Sequence, residues 1–226
     1  MRILVFALLT LLALPAPRPT GINEATHAPR AHASGAPAAT HAPVARFRID
    51  PARSDFMVRA FAGGTLFFKG HDHFVRPGEF SGEVELTPGA ISPASLTMRV
   101  RAASLAETRD VFTPEQKTII NKELHDIVIE PDKYPEISFK STGVSVETPA
   151  GGEFRARITG DLALHGVVRR VEIPARVTLA GNDLRACGEF AISRKDFNVK
   201  ATSAFHGTVR VRDTLKVIFN IVARPA

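Results

Sequence analysis

Alternation of apolar and polar residues is clearest between residues 157 and 179, in two runs that only a turn signal separates. Apolar positions Ile158, Leu162 and Leu164 precede His165-Gly166, and a second set follows at Val171, Ile173, Ala175, Val177 and Leu179. A period of two places successive side chains on opposite faces of a strand. The two runs therefore predict a long antiparallel hairpin with one apolar face.

Shorter runs with the same period fill the chain before and after this hairpin. They lie around residues 47–60, 84–86, 96–100, 134–142, 184–192, 205–211 and 215–222, and Asp50-Pro51 interrupts the first of them. Many short strands separated by turn residues are typical of an all-β sandwich or barrel.

One helix is predicted within this β-rich pattern. Thr113 is a good N-cap, Pro114 suits the first helical position, and Gln116 completes a capping box. The predicted buried stripe is Ile120, Leu124 and Ile127, with Ile119 beside it, and Pro131 marks the end.

The amino-terminal part has a different composition. Met1-Arg2, the apolar run to Leu14 and the prolines that follow predict a secretory signal peptide over residues 1–20, and an uncleaved anchor is the alternative. Residues 21–45 are rich in Ala, Pro and His, which predicts a disordered linker. The folded domain is then expected over residues 46–226, in a periplasmic or secreted protein.

Three segments resemble the YceI family of lipocalin-like, polyisoprenoid-binding periplasmic proteins. They are KYPEISFKS at 133–141, TGDLALHGV at 159–167 and KDFN at 195–198, and the resemblance extends over residues 46–223. The chain departs from many members by carrying Asn182-Asp183-Leu184 where they have a Trp-Gly pair. The resemblance implies a lipocalin-like antiparallel β-barrel with the helix across one end, and an isoprenoid or quinone-type lipid as the bound ligand.

The expected function is therefore non-catalytic binding or sequestration of a long-chain lipid in the cell envelope, with no other cofactor. Closure of an eight-stranded barrel leaves room for one small ligand. The predicted ligand-binding residues share the inward phase of the strands: Phe56, Val58, Leu96, Met98, Val100, Ile158, Leu162, Val171, Ile173, Val177, Phe190, Ile192, Val217 and Phe219.

Two histidines are the strongest candidates for polar chemistry. His71 and His73 would share one side of a strand, with Asp72 on the other. We expect them at the cavity mouth, hydrogen-bonded and partly buried, with Asp72 holding a turn or orienting an imidazole. A metal-dependent enzyme or redox accessory protein built on this pair is the alternative, although zinc needs three or four ligands. A structural protein whose barrel is simply filled is a third hypothesis.

Charge and cysteine content bear on partners. The net charge is +6, but the arginines alternate with glutamates along strands, which favours a solvated sheet face over a nucleic-acid surface. The positive balance would favour contact with anionic lipid headgroups. The lone Cys187 shares the outward phase of Arg185 and Glu189, whereas a thiol in an oxidising compartment is safest buried, so the sequence does not decide which face of the strand it occupies. The sequence leaves the oligomeric state open as well, and a homodimer is one option.

Overall fold

The computed structural model describes residues 44–87, 92–150, 153–204 and 206–226. The predicted signal peptide and all but the last two residues of the predicted linker lie outside these ranges. The first strand begins at Ala45.

Twelve strands, one helix and several short helical turns make up the described chain. The strands are β1 Ala45–Ile49, β2 Asp55–Gly63, β3 His73–Pro77, β4 Phe80–Leu86, β5 Ala94–Arg101, β6 Leu105–Glu107, β7 Glu136–Ala150, β8 Glu153–Leu164, β9 Val167–Ala180, β10 Asp183–Ser193, β11 Ser203–Ala204 and β12 Val209–Pro225. Helix α1 is Pro114–Glu123, and a π-helical turn, Leu124–Ile129, continues it. The 3₁₀ turns are Pro51–Arg53, Phe67–Lys69, Ala102–Ser104 and Lys195–Phe197.

These strands close into an antiparallel barrel, as predicted. Eight of them form the ring in the order β1-β4-β5-β7-β8-β9-β10-β12, and pairing of β12 with β1 closes it. After the break at Pro51, β2 pairs with β12 beside the position where β1 pairs with it. Strand β3 pairs with β2, and β6 pairs with β3, so these two strands extend the sheet beyond one rim of the barrel. The two carboxy-terminal runs that the sequence separates are one strand, β12, with a register shift between Val211 and Leu215.

The register gives the barrel two distinct ends. At one, which we call the open end, β2 finishes at Gly63, β5 at Arg101 and β10 at Ser193. At the other, the packed end, β4 finishes at Leu86 and β10 begins at Asp183. Because α1 connects β6 to β7, it lies across the open end.

Helix α1 starts as the sequence predicts, since Thr113 and Gln116 form a reciprocal capping box. The predicted buried stripe is partly wrong. Ile127 is 41% exposed and Ile119 62% exposed, whereas Leu124 is buried and Val128 packs inward beside it. A π turn contains more residues per turn than an α-helix, so it rotates Ile127 outward and Val128 inward.

The predicted hairpin between β8 and β9 is present with a two-residue turn. His165 (φ 51°) and Gly166 (φ 75°) both have positive φ, as the hairpin turn that matches strand twist requires. A Cβ on Gly166 would also lie 2.7 Å from the Tyr134 ring, so glycine is required here for space as well as conformation.

Outward-facing side chains fit the predicted solvated sheet. Arg170 pairs with Asp161 at 2.8 Å and Arg46 with Glu85 at 2.8 Å, all at the surface. The register of β10 against β12 is continuous, so Cys187 points outward beside Arg176. Among the described residues, no helix has the length and apolarity needed to cross a membrane.

Candidate functional site

The barrel encloses an elongated apolar cavity of about 650 Å³. Ligand pockets in proteins commonly have about 300–1,000 Å³. On β12 the cavity wall runs from Val209 to Ile221, which is roughly 40 Å of strand at about 3.3 Å per residue. The space is therefore long and narrow, a shape that suits a chain rather than a compact ligand.

The structure brings thirteen of the fourteen predicted ligand-binding residues to this cavity. They are Phe56, Val58, Leu96, Met98, Val100, Ile158, Leu162, Ile173, Val177, Phe190, Ile192, Val217 and Phe219. Val171 has the expected phase but does not line the space. It packs against the cluster formed by Leu164, Ile192, Phe197 and Val199, which fills that side of the open end.

Sequence reasoning missed other parts of the wall. Phe139 and Leu215 share the inward phase of predicted residues, so the alternation contained the signal for them. A Cβ on Gly160 would lie 2.4 Å from Cζ of Phe139, so this glycine makes room for the ring. Leu124 and Val128 line the cavity from the helical segment, and only the three-dimensional position of that segment brings them there.

The cavity opens between the helix and the loops at the open end. The exposed wall residues there are Lys69, His71, Gln116, Ile119, Glu123, Lys200, Ser203 and Arg210, whereas Ser95 is the one exposed wall residue nearer the packed end within the described chain. At the packed end, Leu86, Leu184, Ile221 and Ala223 are between 0 and 8% exposed. A ligand would therefore enter at the open end.

His71 and His73 both reach the mouth, where they hold the ring of Phe112 between them. The His73 ring stacks on Phe112 with a centroid distance of 5.3 Å, and His71 meets it edge-on at 5.7 Å. The two imidazoles therefore contact the same ring at the mouth. Within the described chain, no three His, Cys, Asp or Glu side chains come together as a metal-binding group.

A buried carboxylate fixes His73. Oε2 of Glu107 lies 2.8 Å from Nδ1 of His73, and Oε1 accepts hydrogen bonds from the backbone N–H groups of Phe74 and Arg109. Burial by itself raises the pKa of Glu107, but the hydrogen bonds from His73, Arg109 and Phe74 outweigh it, so the pKa lies below its usual value. The ionised carboxylate accepts Nδ1–H of His73, which leaves Nε2 free for another partner.

Asp72 holds the loop before β3 instead of orienting an imidazole. Its carboxylate accepts two hydrogen bonds from Arg59, at 2.6 and 2.9 Å, and one from the backbone N–H of Ala62. Burial by itself raises the pKa of Asp72, but the hydrogen bonds from Ala62 and Arg59 lower it by more, so the pKa lies below its usual value. The loop that carries His71 is thus tied firmly to β2.

An antiparallel eight-stranded barrel with an apolar interior that is open at one end defines the lipocalin-like class of β-barrels. Residues 47–223 match the family model of the YceI-like domain. The chain therefore belongs to the YceI-like family, which confirms the resemblance seen in its sequence.

Several relatives are similar to parts of this chain. The UPF0312 protein of Pseudomonas savastanoi pv. phaseolicola is 35% identical over 103 residues, which cover 42% of this chain and 50% of that protein. The UPF0312 protein of Pseudomonas syringae pv. tomato matches to the same extent. The chain thus spans about half the length of these relatives.

Two solved structures share the fold. BcnA of Burkholderia cenocepacia superposes with a TM-score of 0.59 at 21% identity, over 77% of this chain and 98% of that one. A polyisoprenoid-binding domain from Saccharophagus degradans gives a TM-score of 0.57 at 14% identity, over 81% and 100% of the two chains.

Proposed function

We propose that this protein binds one long apolar chain, an isoprenoid or a similar lipid, inside the barrel and holds it without chemical change. The observation that carries the proposal is the continuous apolar wall of the cavity from Val209 near the mouth to Ile221 at the packed end. Such a space favours a linear hydrocarbon because each buried methylene contributes about 0.8 kcal/mol.

The mouth would recognise the polar end of the ligand. His71, Lys69 and Arg210 supply hydrogen-bond donors there, and Nε2 of His73 supplies an acceptor. One charge-assisted contact contributes about 1.5–3 kcal/mol, which a few buried methylenes exceed. Affinity should therefore depend more on chain length than on the headgroup, and a quinone-type headgroup fits the same arrangement.

Fold similarity to the polyisoprenoid-binding domain from Saccharophagus degradans agrees with this proposal. The apolar run from Ile3 to Leu14 supports export to the cell envelope as a further part of it. Intact-mass measurement on protein from the source cell tests export: a chain that lacks its amino-terminal segment is expected, and full-length chain in the cytosolic fraction would contradict it.

Binding of a series of lipids that share a headgroup but differ in chain length is the direct test. We expect affinity to rise with length, by up to about fourfold per methylene, until the cavity is full. Val177→Phe narrows the wall at a buried position, so it should weaken long-chain ligands more than short ones. Val168→Phe is the matched control, because Val168 is 57% exposed and does not line the cavity.

Equal affinity for long and short chains would overturn the proposal. Native mass spectrometry of protein from its own envelope is a second test. If it shows no co-purifying apolar mass and no uptake of added lipid, the proposal is overturned, because a barrel with a filled interior would give that result. The metal-dependent alternative would be favoured by a different result. The protein would take up zinc or copper stoichiometrically, and the double substitution His71→Ala with His73→Ala would abolish that uptake.

A further inference from the structure

Exposed hydrophobic side chains are distributed very unevenly over this barrel. Among the described residues, seven large hydrophobic side chains are exposed, and Val44 alone lies at the packed end. The other six lie at the open end: Phe67, Phe68, Val111, Ile119, Ile127 and Val168. Four of these, namely Phe67, Phe68, Val111 and Ile119, border the cavity mouth, because Lys69, Phe112 and Ile119 belong to its wall.

The most prominent pair sits on a tightly held turn. Phe67 and Phe68 are 51% and 67% exposed, and their rings make an edge contact at 6.0 Å. The backbone N–H of Leu66 donates to the carbonyl oxygen of Thr208, and Gly64 (φ 91°) approaches the same residue so closely that a Cβ would lie 2.3 Å from that oxygen. The backbone of the turn is therefore held in place, and both rings are exposed to solvent.

Cations lie at the same end of the barrel as these rings. Lys69, Lys200 and Arg210 line the mouth, and the guanidinium of Arg212 lies 6.0 Å from the Phe67 ring. Within the described chain, no carboxylate lies within ion-pair distance of these four, although the charge of Lys200 acts on the carboxylate of Glu130. Glu123 is the only carboxylate on the described cavity wall. Rim aromatics beside cations complement a surface that is apolar beneath and anionic at its boundary.

We propose that this rim, formed by Phe67, Phe68, Lys69, Lys200, Arg210 and Arg212, docks the open end of the barrel on an anionic phospholipid bilayer. The two phenylalanines insert at the headgroup boundary while the cations contact lipid phosphates. This inference rests on the proposed function, since docking places the cavity mouth against the bilayer and lets an apolar chain pass between them without crossing water.

A second copy of the chain fits this surface less well. A two-fold interface brings the same patch of both subunits together, so it would set these cations against one another. A bilayer that carries phosphatidylglycerol supplies the opposite charge over the whole rim.

Sedimentation with vesicles tests the proposal on the protein as purified from its own cells. Vesicles of phosphatidylcholine with phosphatidylglycerol should bind it, and vesicles of phosphatidylcholine alone should bind it at least tenfold more weakly, because each cation near an anionic surface is worth about fivefold. Phe67→Ser with Phe68→Ser should reduce binding about tenfold or more. Lys69→Gln with Lys200→Gln should reduce it by a similar factor and weaken its salt dependence, with Arg210 and Arg212 accounting for the remainder.

Arg46→Gln with Arg48→Gln is the charge-matched control, because it removes two cations at the packed end. It should change vesicle binding by less than about twofold. Equal losses in the rim and control variants would overturn the proposal in favour of diffuse attraction by net charge. Absence of vesicle binding would overturn it in favour of a protein partner, and a concentration-dependent dimer that the phenylalanine variant abolishes would overturn it in favour of self-association.

Failure of this inference is distinguishable from failure of the proposed function. Val177→Phe should still dock on vesicles, whereas the variant with Phe67→Ser and Phe68→Ser should still take up lipid presented in detergent micelles and lose only its transfer from vesicles. If the wild-type protein takes up no lipid from micelles, the proposed function is contradicted. If it takes up lipid normally but does not bind vesicles, only the docking inference is contradicted.

Discussion

The two ends of this barrel are built from the same strands but have opposite surface chemistry. At the packed end, Leu86, Leu184 and Ala223 fill the interior, and outward charges form ion pairs such as Arg46 with Glu85 and Arg53 with Asp183. At the open end, large hydrophobic side chains are exposed, and Lys69, Arg210 and Arg212 lie outside ion-pair distance of any described carboxylate.

The difference shows where the chain can tolerate poor packing. Exposed apolar side chains forgo the stabilisation that burial would give, so their concentration at one end is consistent with a functional constraint there. The packed end carries the largest cluster of buried hydrophobic side chains, while the open end has two smaller clusters and is also stabilised by local devices. These are the capping box of α1, the bonds of Asp72 and the hydrogen-bonded Glu107.

The largest expected effect compares one substitution at the two ends. Ile221→Ala removes a side chain that is 8% exposed at the packed end, so it should lower the free energy of unfolding by roughly 2–5 kcal/mol. Ile119→Ala removes one that is 62% exposed at the open end and should change it by less than about 0.5 kcal/mol. Urea unfolding of both variants measures the contrast, and similar losses would show that the open end belongs to the core.

A smaller effect concerns the two kinds of carboxylate. Glu107 is fully buried and accepts three hydrogen bonds, so Glu107→Gln should lower stability at neutral pH by about 1.5–3 kcal/mol. Glu85→Gln, which disrupts the exposed pair with Arg46, should cost about 0–1 kcal/mol.

The pH dependence of the Glu107 effect has a defined sign. Because the folded-state pKa of Glu107 is depressed, its contribution is complete above the unfolded-state pKa of about 4.3 and is lost as pH falls through the folded value. The difference between wild type and Glu107→Gln should therefore narrow below about pH 4. A difference that stays constant down to pH 2 would mean that packing, not ionisation, accounts for it.

Strand alternation predicted the barrel and most of its inner wall, because a closed sheet with an apolar interior imposes a strict period of two on every strand. Val171 is the one predicted wall residue that does not line the cavity, and the period-two rule alone does not exclude it. Its phase is correct, but Phe197 and Val199 come from a later segment and cover it, and no local pattern reports such a long-range contact.

The open end was less predictable for the same reason. The capping box located the start of α1, whereas the π turn that exchanges Ile127 for Val128 depends on packing against the barrel. The pairing of His73 with Glu107 joins residues 34 positions apart and was not foreseen from sequence. Exposure of Phe67 and Phe68 was also invisible, since an apolar pair in sequence does not show which side it faces.

The smallest effect tests whether the open end can loosen by itself. Thr113→Ala removes the N-cap of α1 and should cost the helix about 1 kcal/mol, since the hydroxyl accepts the backbone N–H of Gln116. If the helix opens independently of the barrel, amide exchange at Ile120 and Leu124 should accelerate about fivefold, whereas exchange at Ile221 should not change. Thr118→Ala is the control, because Thr118 is exposed within the helix and its hydroxyl donates to the carbonyl oxygen of Pro114, so exchange should stay within about twofold. Equal acceleration at Ile120 and Ile221 would show that the helix unfolds only with the whole barrel, and the two ends would then be chemically different but energetically a single unit.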